Sequence, residues 1–139
     1  MDRADVRRWI DGWAHGWAAH DVPRIAALYV DGPVQRSEPF RERAEPEAYA
    51  AWAFSDERSA EVWFAEPYVT GAESAACEWW AISTQEDGST ITLAGVSLLH
   101  FSADGLVDDQ RDYWSEREGS HRPPDDWGPV AVHPLEQSP

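Results

Sequence analysis

The sequence contains one cysteine and no lysine, so all 11 of its basic residues are arginine. A lone thiol, Cys77, excludes an intrachain disulfide, which leaves the fold to its core. Cys77 lies among apolar residues of a predicted strand, where a small buried hydrophobe is expected rather than a nucleophile. No apolar run approaches the ~20 residues of a membrane-spanning helix, and MDRADVRRWI at the N-terminus lacks the apolar stretch of a secretory signal. A cytoplasmic address is the expectation. Positive charge is scarce: 26 acidic residues against 11 basic ones give a formal charge of −15. That balance repels nucleic acid and anionic membranes, so neither is an expected partner. There is no glycine-rich phosphate loop, no His/Asp/Glu spacing suited to a metal and no Ser/His/Asp order suggesting a triad. No cofactor and no metal is expected.

Aromatics, in contrast, are abundant: nine tryptophans, four tyrosines and four phenylalanines in 139 residues. Side chains of this size want burial, which argues against disorder despite the high charge. The length suits one domain with a core and room for one ligand cavity.

Residues 3–19 are predicted as a helix, because Val6, Ile10, Trp13 and Trp17 recur at helical spacing. Asp21 is a good N-cap for a second helix with Pro23 in its first turn and Ile25, Leu28 and Tyr29 on its buried side; it is predicted to stop at Asp31-Gly32-Pro33. A short strand over Val34–Ser37 and a third helix over residues 45–55 follow. The period then changes from 3.6 to 2. Strands are predicted over Glu61–Val69, Ser74–Thr84, Thr90–Phe101 and Leu106–Trp114, joined by turns at Gly71, Asp87-Gly88 and Ser102–Gly105. Beyond Ser115 the chain is rich in proline and charge and reads as an irregular tail with Trp127 as its anchor. Helices first and an antiparallel meander second is an α+β pattern.

Loop lengths suggest a register. A two-residue Asp87-Gly88 loop places Trp80 beside Gly95 and Glu78 beside Ser97; a four-residue loop over 102–105 places Gly95 beside Asp112 and Ser97 beside Gln110. Paired residues share a face. One face then carries Glu78, Trp80, Gly95, Ser97, Gln110, Asp112 and Trp114. Gly95 lies between Trp80 and Asp112, where a missing side chain leaves space over the sheet; a bulge or kink at Gly95 is the alternative. The other face carries Trp79, Val96, Leu98 and Tyr113, an apolar patch that a homodimer would cover.

Three stretches carry a resemblance: GWAAHDVPRIAALYVDG at the helix pair, SEPF after it, and GVSLLHFSADGLVDDQRDYW at the end. In this order they resemble the NTF2-like superfamily, in particular its SnoaL-like branch, over residues 5–115. The resemblance implies a domain over 1–115 followed by a Pro-rich tail over 116–139. It implies a cone-shaped, curved antiparallel sheet wrapped over three N-terminal helices, with a pocket at the open end and often a homodimer. The family holds ketosteroid isomerases, limonene epoxide hydrolases, polyketide cyclases and non-catalytic binding proteins. Glu38, before Pro39, resembles the isomerase base; the isomerase's two oxyanion donors would fall at Trp13 and Ser97. Asp112, in a shared RDY, matches the last aspartate of the epoxide hydrolases and resembles a cyclase base. The remaining hydrolase positions would fall at Glu78, Trp80, Gln35 and Ser37. The expected site thus has Asp112 and Glu38 as catalytic carboxylates, with Trp13, Trp17, Gln35, Ser37, Glu78, Trp80, Gly95, Ser97, Gln110 and Trp114 around a small, apolar or amphipathic molecule. Two functions stay open: a cofactor-independent isomerase, cyclase or hydratase-type enzyme, and a non-catalytic ligand-binding or assembly protein of the same fold.

Overall fold

Helix α1 spans Arg3–Ala19 and is closed at its start by a reciprocal capping box: Asp5 N–H donates to Asp2 Oδ1 and Asp2 N–H to Asp5 Oδ2. Of the predicted apolar stripe, Val6, Ile10 and Trp13 are buried and Trp17 is half-buried; Trp9, outside that stripe, is buried as well. The computed structural model describes residues 1–127 and the strand Ala131–Val132.

Helix α2 starts at Asp21 as expected, with Arg24 N–H donating to its side chain, but it covers only Val22–Ala26. The predicted continuation through Leu28 and Tyr29 is instead the approach to strand β1, Tyr29–Ser37. Long-range pairing overrides local helix propensity here: β1 runs parallel to β6, with Tyr29 opposite Val107 and Ser37 opposite Asp112. Gly32, at φ 69°, accommodates the irregularity between Tyr29 and Val34. Helix α3 spans Pro46–Phe54.

The remaining strands are β2 (Glu57–Ala65), β3 (Tyr68–Val69), β4 (Ser74–Gln85), β5 (Thr90–Phe101), β6 (Val107–Glu118) and β7 (Ala131–Val132). β2 therefore begins and ends four residues before the prediction, and β6 runs four residues past Trp114. They form one sheet in the order β1-β6-β5-β4-β2-β7, with β3 beside β4. Every pairing is antiparallel except that of β1 with β6. The expected α+β architecture is present, with the main core between α1, α2 and one face of the sheet.

The registers differ from the predicted ones, and the turns explain why. Gln85 N–H donates to Ser89 C=O and Gly88 has φ 87°, so the β4–β5 loop has three residues rather than two. The slip of one residue places Trp79 opposite Gly95 and Cys77 opposite Ser97. It exchanges the faces of β4: Trp79 turns inward, while Glu78 and Trp80 turn outward. The β5–β6 loop is likewise shorter than predicted, with Gly105 at φ 79°, and a bulge follows between His100 and Phe101. Its net shift is two residues, which preserves the faces: Ser97 opposes Asp112, Leu99 opposes Gln110 and Gly95 opposes Trp114.

Gly95 is consequently not a cavity floor between Trp80 and Asp112. A Cβ on it would overlap the Tyr113 carbonyl oxygen and the Trp114 backbone, so its missing side chain permits the close approach of β6. Gly95→Ala is expected to cost about 2 kcal/mol through overpacking, read as a lower urea midpoint; an unchanged midpoint would show that β6 yields freely.

On the outer face, Leu98 and Tyr113 are each 44% exposed. Trp79, expected there, is buried on the other side. The segment after Gly119 crosses part of the outer face: the Trp80 indole donates to His121 C=O at 2.7 Å, and Trp127 meets the Trp80 ring edge-on at 5.9 Å.

Candidate functional site

Concave sheet, α1 and α3 surround a cavity of about 250 Å³ whose lining includes nine aromatic side chains. Trp9, Trp13 and Trp17 project from α1 at helical spacing; Tyr49, Trp52 and Phe54 come from α3. The sheet contributes Ser37, Phe64, Trp79, Leu93, Ser97, Gln110, Asp112 and Trp114, all from positions whose alternation points them inward.

Asp112 is the polar centre of this wall and only 6% exposed. Its Oδ1 accepts from Ser97 Oγ at 2.6 Å and from Gln110 Nε2 at 3.0 Å. Its Oδ2 has one long contact, from Gln35 Nε2 at 3.5 Å. Burial pushes the carboxyl up to about 6 from 3.8, against the lowering influence of Ser97, Gln110 and Gln35.

The shell behind Asp112 has a single proton direction. An indole N–H can only donate. Trp9 donates to Gln110 Oε1 at 3.1 Å, which fixes that amide with its NH₂ toward Asp112. Trp13 donates to the Tyr29 hydroxyl at 2.8 Å, and Tyr29 in turn donates to Gln110 Oε1. From the other side, Trp79 donates to Ser97 Oγ at 3.0 Å, leaving the Ser97 proton for Asp112. Burial holds the Tyr29 phenol well above its ordinary range, so it stays protonated. Ser37 Oγ, next along the wall, lies 2.5 Å from Tyr49 Oη and accepts from the Trp114 indole at 3.2 Å.

Trp13, Trp17, Ser37, Ser97, Gln110, Asp112 and Trp114 therefore come together around one cavity. Gln35 stands behind Asp112 rather than on the cavity wall; it is 1% exposed, and its Oε1 has no hydrogen-bond partner among the described residues. Glu38 is not on the wall: at φ 85° it turns the chain away after β1, and its backbone N–H donates to Asp112 C=O at 2.8 Å. Glu78, Trp80 and Gly95 do not line the cavity either, for the reasons of register and close approach given above. Cys77 is buried on the inner face, and burial raises its thiol to about 12, so it packs as a small hydrophobe.

Sequence reasoning missed Tyr29, Trp9, Trp79 and a second buried carboxylate, Glu57, which also lines the cavity. A three-residue loop around Asp87-Gly88, which the Asp-Gly signal also allows, would turn Trp79 inward. Glu57 sits in the polar run SDER, which carries no signal of burial. Among the described residues no three His, Cys, Asp or Glu side chains are grouped as metal ligands, and no helix is long and apolar enough to cross a membrane.

No protein-family model matches the chain, and no curated protein sequence matches it. Solved structures do match in fold. An NTF2-like protein from Exiguobacterium superposes with a TM-score of 0.65 at 14% identity, covering 80% of this chain and 98% of its own. The epoxide hydrolase/cyclase-like enzyme SalBIII, of pyran ring formation in the polyether salinomycin, gives 0.70 at 12%, covering 85% and 98%. A protein of ketosteroid isomerase-like fold from Catenulispora acidiphila, in complex with trimethylamine, gives 0.68 at 12%, covering 83% and 88%. The fold is that of NTF2-like proteins, as the resemblance implied.

Proposed function

We propose that the protein takes a small, largely apolar molecule into the aromatic cavity and acts on it by cofactor-independent acid–base chemistry at Asp112, as an isomerase, cyclase or hydratase. One observation carries this reading: a buried carboxylate faces the cavity with one oxygen saturated and the other nearly free. Ser97 and Gln110, both on the cavity wall, hold the carboxyl through Oδ1, and the carboxyl exchanges a proton with the ligand. A pKa of about 6 lets this group serve as base or acid close to neutrality. Solved neighbours of the same fold include an epoxide hydrolase/cyclase-like enzyme and a protein holding a small amine, which supports a small-molecule cavity.

The second reading, a non-catalytic binding protein, is favoured by the position of Glu38 outside the cavity. The two separate in one experiment. Wild type and Asp112→Asn are incubated with a panel of small epoxides and β,γ-unsaturated ketones, with binding followed by tryptophan fluorescence and products by chromatography. Both proteins are expected to bind, and the variant's turnover to fall by about 100-fold or more. Equal turnover removes Asp112 from the mechanism; binding by both without product selects the second reading.

The same reading includes a homodimer through Val96, Leu98 and Tyr113 on the outer face. Leu98→Asp is expected to halve the mass seen by sedimentation; a monomeric wild type refutes it.

A further inference from the structure

The cavity holds a second buried carboxylate that the chemistry at Asp112 does not use. Glu57, at the start of β2, is 7% exposed and lines the cavity. Its Oε1 accepts from the Trp17 indole at 2.9 Å and lies 2.8 Å from His20 Nε2; its Oε2 accepts from Ser83 Oγ at 2.5 Å. The anchors are rigid. His20 ends α1 in the left-handed region at φ 52° and stacks on Phe54, with ring centroids 4.6 Å apart and planes 13° apart. Burying a carboxylate costs free energy even when it is hydrogen-bonded. Three partners, two from α1 and its C-cap and one from β4, hold this one in place at the cavity wall.

The surroundings select the charge of what meets it. Among the described residues, Asp56, Glu57, Asp112 and Glu116 line the cavity, and Arg41 is the single arginine on its wall. At the exposed rim the Arg41 guanidinium carbon lies 4.7 Å from the centroid of the Trp52 ring, a cation resting on an aromatic face. Trp17 and Trp79 meet edge to face at 5.8 Å and join the two polar centres: Trp17 donates to Glu57, and Trp79 donates to the serine that holds Asp112. Aromatic faces attract cations. A chain of formal charge −15 also concentrates cations near its surface.

We propose that the Glu57 end of the cavity is a recognition site for an organic ammonium group. The molecule taken up is then a small amphiphilic amine, with its nitrogen at Glu57, its apolar body against Trp17 and Trp79, and its reacting part at Asp112. This rests on the reading of the cavity as a small-molecule site. The ammonium meets a carboxylate whose hydrogen bonds are already fixed, so attraction is gained without reordering the protein.

A pair of probes of equal shape tests it: phenyltrimethylammonium and its uncharged carbon isostere, tert-butylbenzene. Affinities are measured at pH 8 by tryptophan fluorescence and calorimetry. Wild type is expected to prefer the cation by about tenfold or more. Glu57→Gln, which keeps an acceptor for Trp17, should lose most of that preference while still binding tert-butylbenzene. Asp56→Asn with Glu116→Gln, both at exposed positions, should reduce it less. Equal affinities in wild type, or a preference that survives in a folded Glu57→Gln, overturn the proposal and leave the small-molecule reading intact. Failure of both probes to bind wild type overturns both.

Discussion

At pH 7.5 the Asp112→Asn variant is expected to be more stable than the wild type, and the difference is expected to disappear on acidification below about pH 4. The sign follows from the direction of the shift. Burial raises the Asp112 carboxyl from 3.8 to about 6 in the folded chain. Below the unfolded value both states hold the proton, and the folded state is not penalised. Between the two values the unfolded chain releases the proton while the folded one keeps it, so stability falls as pH rises. Above about 6 both are ionised and the loss is complete. The interval between the two values corresponds to roughly 3 kcal/mol. An asparagine avoids that loss and keeps the contacts: its Oδ1 accepts from Ser97 and Gln110. Its NH₂ needs an acceptor near Gln35, whose Oε1 lacks a partner. The Gln35 amide has only to turn over. Urea denaturation of both proteins between pH 4 and 8 measures the gap, and comparing the pair cancels every other titrating group. A variant that is less stable at pH 7.5, by an amount independent of pH, would mean that the carboxylate is a structural hydrogen-bond partner. The expected result, more stability and less turnover, would mean that the fold carries an ionisable group it does not need for folding.

The route from sequence to this site was open in some places and closed in others. The α1 stripe was legible because helical spacing alone puts Val6, Ile10 and Trp13 on one face. The inward aim of Ser97, Gln110 and Asp112 was legible too, although both loop lengths were misread. Parity is what matters in a sheet, and a two-residue error between β5 and β6 leaves every side chain on its face. The one-residue error between β4 and β5 does the opposite. It exchanged Trp79 for Trp80 and put Glu78 beside the cavity instead of outside it. Whether Gly88 closes a two-residue or a three-residue loop is settled by how the whole sheet pairs, since Asp-Gly is compatible with both. Helix α2 failed for a related reason: PRIAALYV is a good helix sequence, and only the pairing of Tyr29 with Val107, far along the chain, draws its end into the sheet. Glu57 was illegible. A glutamate between an aspartate and an arginine looks solvated until Trp17, His20 and Ser83 are brought around it.

Tyr29, drawn into β1 in this way, carries the second large expected effect: Tyr29→Phe should destabilise the protein by about 2–3 kcal/mol, although the change removes one oxygen. The hydroxyl accepts from Trp13 at 2.8 Å and from Trp9 at 3.4 Å and donates to Gln110. Trp9 retains its bond to Gln110 Oε1 in the variant, so the orientation of that amide persists. Trp13 has no such alternative: its buried indole N–H is left without an acceptor, and an orphaned buried donor costs more than the net worth of the bond it made. Tyr29 does not line the cavity, and with Trp9 still holding the Gln110 amide its hydroxyl supports the aromatic shell rather than Asp112. The Asp112 carboxyl, followed by carbon NMR, should therefore titrate at the same midpoint in Tyr29→Phe as in wild type while the urea midpoint falls. A loss under about 0.5 kcal/mol would mean that water reaches the indole and that the wall behind the cavity is wet. A displaced Asp112 titration with unchanged stability would mean that the hydroxyl acts on the carboxylate directly. The expected combination, a large stability loss with an unmoved titration, separates the two layers of the site: an aromatic shell that the fold depends on, and an inner carboxylate whose chemistry is set by its own burial.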